Sequence, residues 1–130
     1  MVTQKTVLVI EDNPTNMKLV RTLLTLGHYE VLEAADAESG IKLATSKIPD
    51  LILMDIQLPG MDGLEATTIL KNDPATKDIP IVALTSYAMR GDEEKARQAG
   101  CDGYITKPIN TRTFLDTISG YLTTSQKYQE

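Results

Sequence analysis

Acidic side chains stand at the ends of short apolar runs at two places in this chain. Glu11 and Asp12 follow the run of residues 6–10, and Asp55 ends the run of residues 51–55. Short unbroken apolar runs are typical of strands that are buried on both faces of a parallel sheet. Open α/β sheets bind their ligands at the carboxyl ends of such strands. The pattern therefore predicts that the chemistry of this protein takes place at Asp55.

A hydroxyl and an ammonium group stand at the ends of two further runs. Thr85 ends the run of residues 80–85, and Lys107 follows the run of residues 103–106. Because the carboxyl ends of parallel strands lie along one edge of a sheet, we expect Thr85 and Lys107 on the same face as the acids. The sequence alone does not determine the strand order. The doubly wound order 2-1-3-4-5 would place the acids of the first and third strands side by side.

Such a cluster of carboxylates requires a cation. Two carboxylates about 5 Å apart repel each other by about 3 kcal/mol at an effective dielectric constant near 20. A few protein carboxylates, several waters and a substrate phosphate are the usual ligands of Mg²⁺. Thr85 offers a hydroxyl to a phosphate oxygen, and Lys107 offers a positive charge. With Asp55 as the nucleophile, these groups indicate a site that accepts a phosphoryl group.

Apolar runs alternate with segments of helical character along the whole chain. We expect strands at residues 6–10, 30–35, 50–55, 80–85 and 103–106. We expect helices at residues 14–26, 36–47, 64–71, 91–99 and 111–122. This alternation is typical of right-handed crossovers and of a parallel sheet with helices on both faces. The predicted fold class is therefore α/β, with a doubly wound, flavodoxin-like sheet of five parallel strands and five helices.

Length and composition narrow the class of protein further. The 130 residues contain no linker or repeat, so we expect one domain with a core at residues 5–122 and a frayed polar tail at residues 123–130. The net charge of −5, from 18 acids and 13 bases without a basic run, argues against nucleic acid or anionic membrane as partners. The single cysteine, Cys101, and the lack of an export or membrane-spanning segment indicate a cytoplasmic protein.

The chemistry-bearing residues and their flanks resemble those of a known family, the receiver domains of two-component response regulators. The resemblance covers nearly the whole chain and rests on Glu11, Asp12, Asp55, Thr85, Lys107 and Pro108. The run of residues 88–94 is most similar to stand-alone regulators and to receivers attached to hybrid histidine kinases. The resemblance therefore implies a stand-alone response regulator. A receiver excised from a hybrid histidine kinase is the alternative within this family.

The resemblance implies a role for each residue around the predicted nucleophile. Asp55 would accept the phosphoryl group from a phosphohistidine on a histidine kinase or a histidine phosphotransferase. Mg²⁺ or Mn²⁺ would be bound by Asp12, Asp55 and the backbone carbonyl of Gln57, with Glu11 acting through water. Gln57 and Tyr87, at positions that vary in the family, would tune the lifetime of the acyl phosphate. The protein would be a stoichiometric phosphoacceptor rather than an enzyme.

The resemblance also implies how the phosphorylated protein would signal. Thr85 and Lys107 would contact the phosphate, and Tyr104 would move inward as Thr85 is drawn towards it. The bond between Lys107 and Pro108 is typically cis in this family, which would aim the lysine. The output would be contact with a downstream effector protein on the face formed by the fourth helix, the fifth strand and the fifth helix. The protein itself would be a monomer or a weak dimer.

Other protein classes that use a similar sheet fit the chain less well. A haloacid-dehalogenase-like phosphatase would also use Asp55 as its nucleophile, but it requires a second acid two residues later, where this chain has Gln57. A flavodoxin-like FMN carrier requires a phosphate-binding loop after the first strand, where this chain has Glu11 and Asp12. A binding module that works without phosphate would be expected to lack part of the site. The phosphatase is thus the alternative outside the family.

Overall fold

Residues 4–86 and 92–127 are described by a computed structural model, in which strands and helices alternate. The strands are β1 (Thr6–Ile10), β2 (Glu30–Ala34), β3 (Leu51–Asp55), β4 (Ile81–Thr85) and β5 (Gly103–Thr106). The helices are α1 (Pro14–Leu26), α2 (Ala37–Lys47), α3 (Gly63–Asn72), α4 (Asp92–Ala99) and α5 (Phe114–Lys127). The strands pair in parallel in the order β2-β1-β3-β4-β5. The predicted fold class and strand order are therefore confirmed.

The central strands are buried on both faces because they are apolar at nearly every position. Successive residues of a strand point to opposite faces, so Val9 and Leu53 pack in a layer with α1 and α5, whereas Ile10 and Met54 pack in a layer with α2 and α3. Each fully buried side chain of this size contributes about 1.5–3 kcal/mol. The two layers hold the sheet rigidly, and the carboxyl edge of the sheet with it.

Polar side chains at the carboxyl edge direct the chain into the helices that follow. The Asn13 side chain accepts the backbone N–H of Thr15 at 2.9 Å and so caps α1. Asp36 and Asp62 cap α2 and α3 in a similar way, each accepting the N–H three residues later, at 2.8 and 2.9 Å. Each cap satisfies a donor that the helix itself leaves unpaired. The caps therefore determine where α1, α2 and α3 start relative to the sheet.

The last helix differs from its predicted bounds of 111–122. It begins later, at Phe114, because the Asn110 side chain accepts the backbone N–H two residues on at 3.0 Å and so forms a turn first. It also extends to Lys127, into the stretch expected to be a polar tail. The sequence contains no Gly or Pro after Leu122 that would end the helix there.

The end of α1 also differs in detail from what its sequence suggests. Gly27 caps the helix, but its φ of −84° is not left-handed. The left-handed residue is instead His28, with φ 67°.

Among the described residues, no helix is long and apolar enough to cross a membrane. Tyr87 lies outside the described residues, so its predicted role stays a prediction.

Candidate functional site

Glu11 and Asp55 are brought side by side by the pairing of β1 with β3. Ile10 lies opposite Met54 in this parallel pair, and each acid is the next residue of its chain segment. Asp12 completes a cluster in which one carboxylate oxygen of each acid lies within 4.8 Å of those of the other two. Glu11 and Asp55 are only 2% and 4% exposed, whereas Asp12 is exposed. The cluster therefore has a buried floor and a side open to solvent.

Lys107 brings a positive charge into this cluster from the end of β5. Its backbone N–H donates to the carbonyl oxygen of Thr85 at 2.7 Å, which anchors it to the end of β4. Its Nζ donates to Glu11 Oε1 at 2.7 Å and to Asp55 Oδ2 at 3.1 Å. One ammonium group therefore offsets part of the negative charge of the three acids.

The two oxygens of the Asp55 carboxylate have different partners. Oδ1 accepts the backbone N–H of Gln57 at 2.9 Å, and Oδ2 accepts the Lys107 ammonium. The residue between Asp55 and Gln57 is tied to the neighbouring strand, since the Ile56 N–H donates to the carbonyl oxygen of Leu84 at 3.1 Å. Backbone and lysine thus hold the carboxylate in one orientation.

The cluster changes the proton affinity of two of its members. Burial, assisted by a hydrogen bond with Asp55, raises the pKa of Glu11 to about 7, although Lys107 acts in the opposite direction. Burial on its own would lower the pKa of Lys107, but its hydrogen bond to Glu11 and the charge of Asp55 outweigh burial, and the pKa lies above its ordinary value of 10.5. The lysine is therefore charged at neutral pH, whereas the Glu11 carboxyl gains or loses its proton near neutral pH.

The remaining predicted site residues lie on β4 and β5 or directly after β5. Thr85 is 2% exposed at the end of β4. The bond between Lys107 and Pro108 is cis, as expected. The half-buried Tyr104 donates its hydroxyl to Glu93 Oε2 of α4 at 3.0 Å, so in this structure it contacts α4 rather than the acids. Glu93 could not be predicted from the sequence as a partner of Tyr104, because only the packing of α4 beside β5 places it next to this tyrosine.

The donor set suits a hard divalent cation. The three carboxylates offer oxygen atoms, which are the kind of ligand that Mg²⁺ prefers. Since Asp12 is exposed, water can complete the coordination of an ion bound there. Carboxylates at the end of a central strand, beside a lysine and a buried threonine, are the groups needed to accept a phosphoryl group.

Comparison with known proteins defines the class to which this fold and site belong. The model of the response regulator receiver domain matches residues 7–119. The chain therefore belongs to the family of response regulator receiver domains, proteins of two-component signalling. It is similar to the polar-differentiation response regulators DivK of Brucella anthropi and Brucella ovis. Each is 48% identical over 118 residues, which cover 91% of this chain and 96% of the relative.

Solved structures of receiver domains agree with this assignment. One is the receiver domain of sensor histidine kinase PA1611 from Pseudomonas aeruginosa PAO1, which has a magnesium ion coordinated in its active site cleft. It is 31% identical with a TM-score of 0.86, and the match covers 93% of this chain and 99% of that one. A CheY-like receiver domain protein from Methanospirillum hungatei is 28% identical with a TM-score of 0.89, covering 97% and 99%. The protein is thus a DivK-like response regulator receiver, and the phosphatase alternative is not favoured.

Proposed function

We propose that Asp55 accepts a phosphoryl group from a phosphohistidine on a histidine kinase or a histidine phosphotransferase. The observation that carries this proposal is the placement of Asp55, which is buried at the end of a central strand beside Glu11 and 3.1 Å from the Lys107 ammonium. We place the site within one receiver domain whose core spans residues 5–122. A cytoplasmic location, expected from the single cysteine, belongs to the same proposal.

The transfer exchanges one bond to phosphorus for another. An oxygen of the Asp55 carboxylate attacks the phosphorus atom, so that a P–O bond forms and the P–N bond to histidine breaks. The electron pair of the broken bond stays on the imidazole nitrogen, which takes up a proton. Lys107 offsets the negative charge that gathers on the phosphoryl oxygens, and the Thr85 hydroxyl donates to one of them. Each phosphorylated Asp55 uses one phosphohistidine, so the protein is a phosphoacceptor rather than a catalyst.

The acidic cluster has the ligands for Mg²⁺ or Mn²⁺. We propose that Asp12, Asp55 and the backbone carbonyl of Gln57 bind the ion, with Glu11 acting through water. A bound divalent cation supplies the positive charge that lets an anionic phosphoryl group approach three acids. The open side of the cluster at Asp12 supports this assignment, because ion and donor can both enter there.

Signalling would follow from a change around β5. We propose that Thr85 moves towards the phosphoryl group, that Tyr104 moves inward, and that Pro108 helps to orient Lys107. Gln57 and Tyr87 would tune the lifetime of the acyl phosphate. The output surface would be the face formed by α4, β5 and α5, where side chains of all three elements line a groove suited to a downstream effector protein. Neither nucleic acid nor membrane is expected as a partner, and the protein would be a monomer or a weak dimer.

The phosphoacceptor is tested by replacing Asp55 with a nearly isosteric amide. Phosphoramidate carries the same kind of P–N bond as phosphohistidine and serves as the donor, with Mg²⁺ present. We expect Asp55→Asn to abolish the mass increase of one phosphoryl group while the far-UV circular dichroism stays unchanged. The control Asp78→Asn replaces an exposed acid and should be phosphorylated at the normal rate. Continued phosphorylation of Asp55→Asn would refute the assignment.

A further inference from the structure

The peptide unit that joins Ile56 to Gln57 is held at both of its ends. Its N–H, that of Gln57, donates to Asp55 Oδ1 at 2.9 Å. Its carbonyl oxygen, that of Ile56, accepts the backbone N–H of Gly63 at 3.3 Å. A peptide unit is planar, so the direction of its carbonyl determines the direction of its N–H. The hydrogen bond from Gly63 therefore restricts the direction of the Gln57 N–H, and with it the orientation of the Asp55 carboxylate.

Gly63 can make this contact because it has no side chain. A Cβ atom at this position would lie 2.7 Å from the Cα of Ile56, and closer still to the backbone carbonyl oxygen of Asp55. Both are backbone atoms, which cannot rotate away as a side chain could. Gly63 is also the first residue of α3, and glycine is a poor helix former. Its φ does not lie in the left-handed region, so the close approach is what requires a glycine here.

We propose that Gly63 is a positioning residue for phosphoryl transfer. Its lack of a side chain lets the first turn of α3 pack against the backbone that follows β3. This packing orients the Asp55 carboxylate through the N–H of Gln57. This inference deepens the proposed function and rests on it. Because the Gln57 carbonyl follows directly in the chain, a displaced loop would also move the backbone oxygen proposed to bind the cation.

The cap of α3 offers a second way to disturb the same contact. Asp62 Oδ1 accepts the N–H of Glu65 at 2.9 Å and fixes the turn that contains Gly63. Loosening this cap displaces the turn without adding atoms. Asp36 caps α2 through the N–H of Ser39 at 2.8 Å, and it follows the edge strand β2 instead of the central strand β3. Asp36 is therefore a control of the same residue type at the same helix position.

The first test compares Gly63→Ala with Leu24→Ala, a core truncation in the layer on the other face of the sheet. In metal-free protein, we expect the amide proton resonance of Gln57 to move upfield in Gly63→Ala, because its hydrogen bond to Asp55 lengthens. At saturating phosphoramidate and Mg²⁺, the rate constant for phosphorylation should fall about tenfold or more. Leu24→Ala should lower the Tm but leave the Gln57 resonance unchanged and the rate constant within about twofold of the wild type.

The second test compares the two caps and decides the matter if Gly63→Ala does not fold. Asp62→Ala should move the Gln57 resonance in the same direction and lower the rate constant about threefold. The effect is smaller than that of Gly63→Ala because the Asp55 carboxylate is displaced less. Asp62→Asn keeps a capping oxygen and should restore both. Asp36→Ala should lower the Tm about as much as Asp62→Ala, but it should change neither the Gln57 resonance nor the rate constant.

The inference is overturned if Asp62→Ala and any folded Gly63→Ala leave the Gln57 resonance and the rate constant at wild-type values. It is also overturned if Asp36→Ala changes them equally, since the effect would then follow stability alone. The resonance is measured without metal or donor and therefore does not depend on phosphorylation. If the resonance moves as expected but the wild type accepts no phosphoryl group, the backbone coupling stands and the proposed function fails.

Discussion

Lys107 Nζ donates to Glu11 Oε1 at 2.7 Å, a contact that joins the ends of β5 and β1 across the two strands between them. The two side chains are only 12% and 0% exposed. An ion pair taken out of water loses hydration, and close hydrogen-bonded contacts offset that loss. The pair therefore places a positive charge beside Asp55 before any phosphoryl donor binds. The stability of the metal-free protein depends on that charge, because it offsets the charge of the buried acids.

Removal of the lysine charge should destabilise the metal-free protein. Lys107→Met keeps most of the side-chain volume but leaves buried acids without their partner, so we expect a loss of about 2 kcal/mol in the free energy of unfolding at pH 8. Urea denaturation with a chelator measures it, and Mg²⁺ should restore much of the loss. Lys18→Met, at an exposed position on α1, should change little. A loss that Mg²⁺ does not reduce would contradict this account of the cluster.

Glu11 should make the stability of the metal-free protein depend on pH. Its pKa is raised from 4.5 to about 7 by burial and by its hydrogen bond with Asp55. A raised carboxyl pKa stabilises the folded state fully below the unfolded value, and this stabilisation is lost as pH rises through the folded value. We therefore expect up to about 3 kcal/mol of stability to be lost between pH 4.5 and pH 8 through this group.

Glu11→Gln tests this dependence because the amide keeps the shape and cannot be deprotonated. We expect the variant to become more stable than the wild type by about 2 kcal/mol at pH 8, with a smaller difference at pH 5. Urea denaturation at a series of pH values, with a chelator present, gives the two curves. Parallel curves would show that Glu11 does not titrate in this range. With Mg²⁺ added, the curves should converge, since a cation then neutralises the acids in place of a proton.

The parts of the site that could be predicted from sequence are those that follow from parallel pairing of the strands, whatever their order. Asp55 and Lys107 follow apolar runs, and parallel strands bring all such ends to one side of the sheet. The Tyr104–Glu93 contact and the role of Gly63 could not be predicted, because each depends on how closely a helix packs against the sheet. Gly63 carries only a partial signal, because a glycine in a helix costs stability and is typical of places where backbones approach closely.

Ile48 should be a site where substitution stabilises the protein. It has φ 44° and ψ 70°, a left-handed conformation that is unfavourable for a β-branched residue and for one that precedes a proline, here Pro49. We expect Ile48→Gly to raise the free energy of unfolding by about 1 kcal/mol, measured by urea denaturation. His28→Gly, at φ 67°, should gain less because histidine tolerates this region better. A loss at Ile48 would mean that its side chain contributes more than its backbone costs.

Glu93 should control the ionisation of Tyr104. The hydrogen bond to Glu93, together with the charge of that carboxylate, raises the pKa of Tyr104 above 10.0. Glu93→Gln keeps an acceptor but removes the charge, so we expect the pKa of Tyr104 to fall towards 10.0, as followed by NMR of ¹³C-labelled tyrosine rings. Glu94→Gln is the control, since Glu94 pairs with Arg97 at 3.2 Å instead. It should leave the pKa of Tyr104 unchanged.

The same titration tests whether Tyr104 moves when the site is filled. Beryllofluoride bound to Asp55 serves as a stable substitute for the labile phosphoryl group. If Tyr104 moves inward it leaves Glu93, although its greater burial would itself raise the pKa. The difference in Tyr104 pKa between the wild type and Glu93→Gln should therefore disappear when both proteins are filled. A difference that persists in the filled proteins would mean that Tyr104 stays on α4. The signal would then have to reach the face formed by α4, β5 and α5 through another residue, because a tyrosine that does not move cannot transmit it.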